Sequence, residues 1–294
     1  MNQKKEVKLS ANTPHFDAEK SYGHIKTMVD FGPRVPQTPA HEKCQEFIQG
    51  HFMNLGLKVS AREGLKRAGK GLIKVKNIMA SYTPKKAKKQ LLFVSHYDTR
   101  YQSIDSIPEP VPGANDGASG IAVMMELARI IKTENLPYQI DFLCLDAQDQ
   151  GMDNQIKTWS LGAQQWLRSN NKTYDFAINF DMLGAKDAKF VKEKFSSFFC
   201  KDLQDKIWAI AEQKGFQTYF PENNEVEQLI NDHYFINNHS KSKVPTLLIT
   251  DYRAADSTYF PQWHSKEDGL EHISTEPLQA VGQTVLELLY SKDF

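Results

Sequence analysis

Four short runs constrain what this chain can fold into: Leu91-Leu92-Phe93-Val94-Ser95, Ile140–Leu145, Phe176–Phe180 and Pro245-Thr246-Leu247-Leu248-Ile249. Each is apolar at nearly every position rather than at alternate ones, and each is too short for a core helix. That is the pattern of strands buried on both faces. Segments with apolar residues at helical spacing lie between or after them, at 118–132, 161–168, 200–214 and 275–290. Buried strands alternating with helices require a largely parallel sheet covered on both sides. Two amphipathic helices (16–31 and 40–55) and two alternating strands (57–61 and 72–82) come first, the helices separated by the breaker-rich Phe31-Gly32-Pro33-Arg34-Val35-Pro36. The expected fold class is α/β: one three-layer α/β/α sandwich over residues 15–294, with a mixed, mostly parallel central sheet. Residues 1–14 are polar and read as a flexible tether.

Composition removes several function classes. Lys plus Arg and Asp plus Glu number 36 each, so no net field draws in nucleic acid or anionic lipid. The run Lys85-Lys86-Ala87-Lys88-Lys89 reads as a solvated turn between strands. Cys44, Cys144 and Cys200 are far apart and unpaired in pattern, which gives neither a disulfide framework nor a thiolate metal site. No apolar run is long enough to span a membrane. The start has basic residues but no apolar stretch behind them, so a cytoplasmic enzyme and an exported one with its leader removed both fit. There is no GxSxG elbow, and Ser119, inside a first helical turn, reads as structural.

The ends of the buried runs carry the chemistry. His96 and Asp98 follow the first, Asp116 opens the next helix, Asp149 follows the second, Asp181 the third, and His264 lies beyond the fourth. Ligands of open α/β sheets bind outside the carboxyl ends of the strands, so topology brings all six to one rim. A lone Asp before a helix is usually an N-cap, and a lone His is usually a satisfied polar residue. Their recurrence at successive strand ends points instead to a metal site of oxygen and imidazole donors, which zinc accepts when cysteine is absent.

Read in order, the motifs resemble the zinc aminopeptidase and glutaminyl cyclase superfamily, and more closely its bacterial glutaminyl-peptide cyclotransferases. The matching pieces are Phe31–Pro36, His96-Tyr-Asp-Thr-Arg100, Pro112-Gly-Ala-Asn-Asp-Gly-Ala-Ser-Gly120, Trp159-Ser-Leu-Gly162, Asp181-Met-Leu-Gly-Ala185, Asn231-Asp-His233, Trp263-His264 and Val281-Gly-Gln-Thr-Val285. The resemblance implies a zinc-exopeptidase-like fold and one zinc held by Asp116, Asp149 and His264. It implies Asp181 and Asp232 as the acidic residues around the substrate amine, and Trp263, with Tyr97, as pocket walls. His96 and Asp181 are candidates for a second metal, which an aminopeptidase would need. The implied partners are peptides or proteins beginning with Gln, and resemblance to the bacterial cyclases implies a cell-envelope location.

One position departs from the family pattern. The residue before the acidic zinc ligand is a glutamate in the family, serving as general acid and base, and here it is Gln148. An amide has no useful proton to exchange near neutral pH. Cyclisation and peptide hydrolysis would suffer alike. Three readings stand: a weakened cyclotransferase, a zinc aminopeptidase, and a non-catalytic zinc protein that binds peptide N-termini.

Overall fold

The computed structural model describes residues 7–69, 71–134, 136–239, 244–292 and 294. In chain order the main elements are α1 (Ala18–Asp30), α2 (Pro39–Asn54), β1 (Lys58–Ala68), β2 (Gly71–Tyr82), β3 (Lys89–His96), α3 (Ala118–Thr133), β4 (Tyr138–Leu145), α4 (Leu161–Ser169), β5 (Phe176–Asp181), β6 (Lys192–Glu193), α5 (Lys194–Gln213), β7 (Glu225–Val226), α6 (Asp232–Asn238), β8 (Thr246–Thr250) and α7 (Thr275–Tyr290). Six strands form one sheet in the order β1-β2-β4-β3-β5-β8, with β4, β3, β5 and β8 mutually parallel and β1 and β2 antiparallel.

Alternate residues of the central strands feed opposite layers, as the pleat demands. Leu91 and Phe93 join the larger core with α1, α2, α3, α5 and α7. Leu92 and Val94 join the smaller core under α4 and α6. Both faces are covered, which is why these runs are apolar throughout.

The crossover from β3 through α3 leads to β4 on one side, and that through α4 returns past β3 to β5 on the other. The chain therefore reverses direction at β3, and the carboxyl ends of β3, β4 and β5 surround one crevice.

Three expectations need correction. The segment expected as a tether is held against the fold from residue 7 on, and residues 1–6 lie outside the described residues: Val7 is buried, Thr13 Oγ1 donates to Glu287 Oε2 at 2.8 Å, and Gln283 Nε2 donates to the Pro14 carbonyl. The strand expected to stop at residue 61 runs on to Ala68. Its outer half is charged (Arg62, Glu63, Lys66, Arg67), and pairing with β2 rather than burial defines it. The helix expected from residue 200 begins at Lys194, where Glu193 accepts from the Ser196 amide at 2.8 Å, and leaves helical geometry at Cys200.

The lysine run lies between β2 and β3, mostly exposed, and all three cysteines are free and buried. No helix among the described residues is long and apolar enough to cross a membrane.

Candidate metal centre

His96 ends β3 with its ring fully buried. Its Nε2 lies 3.0 Å from Asp116 Oδ1 and 3.2 Å from Asp181 Oδ1, and its Nδ1 lies 3.3 Å from Asp98 Oδ1. Asp116 enters from the loop before α3 and Asp181 from the end of β5. The peptide after Asp116 must pass close to the His96 ring: a Cβ on Gly117 would lie 2.5 Å from His96 Cε1, so glycine is required there.

The other Asp116 oxygen faces His264, whose Nε2 is 3.4 Å from Asp116 Oδ2 and 3.6 Å from Asp149 Oδ2. Two donor groups result, His96–Asp116–Asp181 and Asp116–Asp149–His264, and Asp116 belongs to both.

Three carboxylates this close repel one another unless a cation joins them. Burial, reinforced by the charge of Asp149, pushes the Asp116 carboxyl well above the usual carboxylate range. Burial acts against Asp149 as well, but His264, His96 and Arg100 outweigh it and pull that carboxyl down. Burial opposes charge on His96, yet its bonds to Asp116, Asp181 and Asp98 raise it well above the ordinary imidazole value. Asp149 Oδ2 and His264 Nε2 are buried without a hydrogen-bond partner. Unused donor atoms beside surplus negative charge, with nitrogen and oxygen but no sulfur, fit zinc.

A second layer fixes these ligands. Asp98 accepts from the Gln148 amide at 2.9 Å, the Asp149 amide at 3.2 Å and Gln150 Nε2 at 2.8 Å, so it orients the loop after β4 as well as His96. Asp268 does the same for the Asp116 loop, accepting from the Asn115 amide at 2.8 Å and the Asp116 amide at 3.1 Å. Asn231 donates to Asp181 Oδ2 at 2.6 Å. Buried Arg34 gathers the Tyr97, Pro112 and Gly113 carbonyls, which shapes the turn leading to Asp116. Ala147, Met182 and His264 hold left-handed φ of 55°, 50° and 54°. Such positions cost about 1–3 kcal/mol each and persist where the surroundings demand them. Two of the three adjoin site residues and the third is one.

The expected residues mostly converge. His96, Asp116, Asp149, Asp181 and His264 meet in the two groups, and Gln148 reaches Asp181, with Nε2 3.5 Å from Oδ2. Trp263 stacks on His264 with ring centres 3.9 Å apart and is backed by Tyr259 at 4.6 Å. Asp232 is fully buried, opens α6 near His96 and Asp181, and burial pushes its carboxyl up to about 7.

Tyr97 does not line the pocket. Side chains alternate along an extended chain, so it points away from His96: its ring stacks on His41 and its hydroxyl donates to the Lys76 carbonyl at 2.6 Å. Ser119 is structural as expected, its hydroxyl tying the Asn115 carbonyl to the Leu183 amide. Asp268 escaped sequence reading: it lies four positions after His264, but nothing local marks its bond to the distant Asp116 loop.

Comparison with known proteins agrees with this geometry. Among solved structures, the Bacteroides thetaiotaomicron glutaminyl cyclase bound to N-acetylhistamine superposes with a TM-score of 0.89 at 35% identity, covering 95% of this chain and 99% of that one. A Zn-dependent exopeptidase from Parabacteroides distasonis does so with a TM-score of 0.89 at 31% identity, covering 95% and 99%. Among curated relatives, the aminopeptidase YwaD of Bacillus subtilis is 26% identical over 276 residues, which cover 87% of this chain and 54% of that protein. The chain thus spans about half the length of that relative. Residues 77–289, which carry every ligand candidate, match the model of one family: the chain belongs to peptidase family M28.

Proposed function

We propose that this chain is a zinc-dependent glutaminyl-peptide cyclotransferase, converting an N-terminal glutamine to pyroglutamate and ammonia, with its rate lowered by Gln148. The observation that carries the reading is the aromatic wall. Trp263 stacks on His264 with Tyr259 tilted against it, an aromatic surface against which a planar side-chain amide can lie. Similarity to solved glutaminyl cyclases supports it.

In the reaction the α-amine nitrogen bonds to the carbon of its own side-chain carbonyl, and the carbon–nitrogen bond to the departing ammonia breaks. A proton must leave the amine and one must reach the leaving group. Zinc held by Asp116, Asp149 and His264 would supply Lewis-acid polarisation of that carbonyl. Asp181 and Asp232 suit the substrate amine, being buried acidic groups close to His96. Gln148 can orient the amide through hydrogen bonds but cannot carry the proton. Asp232, whose carboxyl burial pushes up to about 7, is suited to hold a proton at neutral pH.

A second reading, a zinc aminopeptidase, is favoured by one specific observation. The His96–Asp116–Asp181 group sits beside the first and shares Asp116, as a two-metal hydrolytic site would need.

The test is to incubate the zinc-loaded chain with a peptide beginning in Gln and follow mass and metal content. Loss of ammonia with one zinc supports the cyclotransferase. Release of free glutamine with two zinc per chain replaces it with the aminopeptidase, and an unchanged peptide removes both.

A further inference from the structure

The segment from Thr99 to Pro112 has no regular secondary structure, yet it is not loose. The Val111 amide donates to the Arg100 carbonyl at 3.0 Å, and the Ser103 amide donates to the Glu109 carbonyl at 2.7 Å, closing the loop on itself. Two further bonds dock its tip on the site: the Ile104 amide donates to the His264 carbonyl at 2.9 Å, and Asp105 Oδ2 accepts from the Lys266 amide at 2.8 Å. On this pinned tip Ile104 and Ile107 are 64% and 73% exposed. Single exposed aliphatics are ordinary, but two on one ordered tip beside a catalytic-type crevice are not.

A second apolar edge adjoins the His264 ring. Trp159 lies parallel to the His264 ring with centres 6.0 Å apart, and its indole donates to the Met152 carbonyl at 3.0 Å. Met152 and Ile156 of the same segment are exposed. Arg100 ties the two edges together: its guanidinium donates to the Asp149 carbonyl at 3.2 Å and lies 4.8 Å from the Trp159 ring.

We propose that Ile104 and Ile107, with Met152 and Ile156 of the second edge, form the subsite for the second and third residues of the peptide and select apolar side chains there. The inference rests on the reading that a peptide N-terminus enters the metal crevice. It holds for either chemistry, since both leave the rest of the peptide emerging at this mouth. A peptide whose first residue is held beside Trp263 and His264 is the occupant continuous with both edges, since the Ile104 amide bonds the His264 carbonyl and Trp159 lies parallel to the His264 ring.

The test is fluorescence anisotropy on the zinc-loaded chain, read before turnover, with two peptides labelled at the C-terminus. One begins Gln-Leu-Phe and the other Gln-Gly-Gly. Burying an aliphatic side chain is worth about tenfold or more in affinity, so the first peptide should bind at least about tenfold more tightly. The Ile104→Ser/Ile107→Ser double variant should erase that preference while leaving affinity for Gln-Gly-Gly and the melting temperature unchanged. Met53→Ser, an exposed position on α2, should leave the preference intact. Equal affinity for the two peptides, or a preference that survives the double variant, overturns the subsite and spares the proposed function. Failure of both peptides to bind overturns the proposed function and the subsite with it.

Discussion

Two buried histidine–carboxylate clusters in this molecule look alike on paper and differ in what they can do. In the first, Glu193 and His233 meet at 3.0 Å with both side chains fully buried. Glu193 also accepts from the Ser196 amide at 2.8 Å and the Leu229 amide at 2.9 Å, so both its oxygens are engaged. In the second, His96 and His264 face Asp98, Asp116, Asp149 and Asp181, and Asp149 Oδ2 and His264 Nε2 have no hydrogen-bond partner. Residue type and burial do not separate them. Surplus negative charge does: four carboxylates face two imidazoles in the second cluster, against one and one in the first, where His233 Nδ1 alone lacks a hydrogen bond, and this marks the second as the candidate metal centre and the first as a clasp between α5 and α6.

The comparison can be broken by removing its pivot. Asp116→Ala takes the shared ligand from both donor groups, and zinc affinity should fall by more than the roughly 10–100-fold typical of supporting residues. Calorimetric titration with zinc checks it, and unchanged affinity would return the cluster to the structural class. Gln148→Glu should raise turnover by about 10²–10⁴-fold, the usual contribution of general acid–base catalysis. An unchanged rate of ammonia release would exclude this position from the chemistry.

Glu193→Ala should do the opposite to each property. Breaking a buried pair costs about 3–5 kcal/mol of stability, while zinc stoichiometry should stay the same in the folded variant. The pH dependence carries the same signature. Burial opposes ionisation of Glu193, but His233 and the amides outweigh it and hold the carboxyl below its ordinary 4.5. Its stabilising contribution is therefore full above about pH 4.5 and is lost as pH falls through the lower folded value. Thermal melting should show that acid-side decline in the native chain and less of it in the variant. The smallest effect should come from Asp268→Asn, which loosens the Asn115 and Asp116 amides and should weaken zinc by about 10–100-fold without changing the stoichiometry.

How much of this was legible depended on what defines each piece. Strands such as β4 and β5 could be read to within about two residues, because burial on both faces writes itself into every position. The outer half of β1 could not, since Arg62, Glu63, Lys66 and Arg67 have no burial to report and are strand only because β2 pairs with them. The convergence of the candidate ligands could be read because strand ends are placed by topology. Tyr97 misled because its neighbours are site residues while the extended chain turns it to the opposite face. Asp268 and Asn231 act through bonds to partners 152 and 50 residues away, and no local pattern encodes such a bond.

The bond between the Ile104 amide and the His264 carbonyl has a consequence for how this protein can change over generations. The loop that meets the incoming peptide also braces the backbone of a ligand, so the two cannot be altered independently. Drift toward a new peptide preference can proceed by exchanging side chains at 104 and 107, which leaves the amide in place. Insertions or deletions between 100 and 111 would disturb the brace. Diversification here should therefore run through substitution at constant loop length.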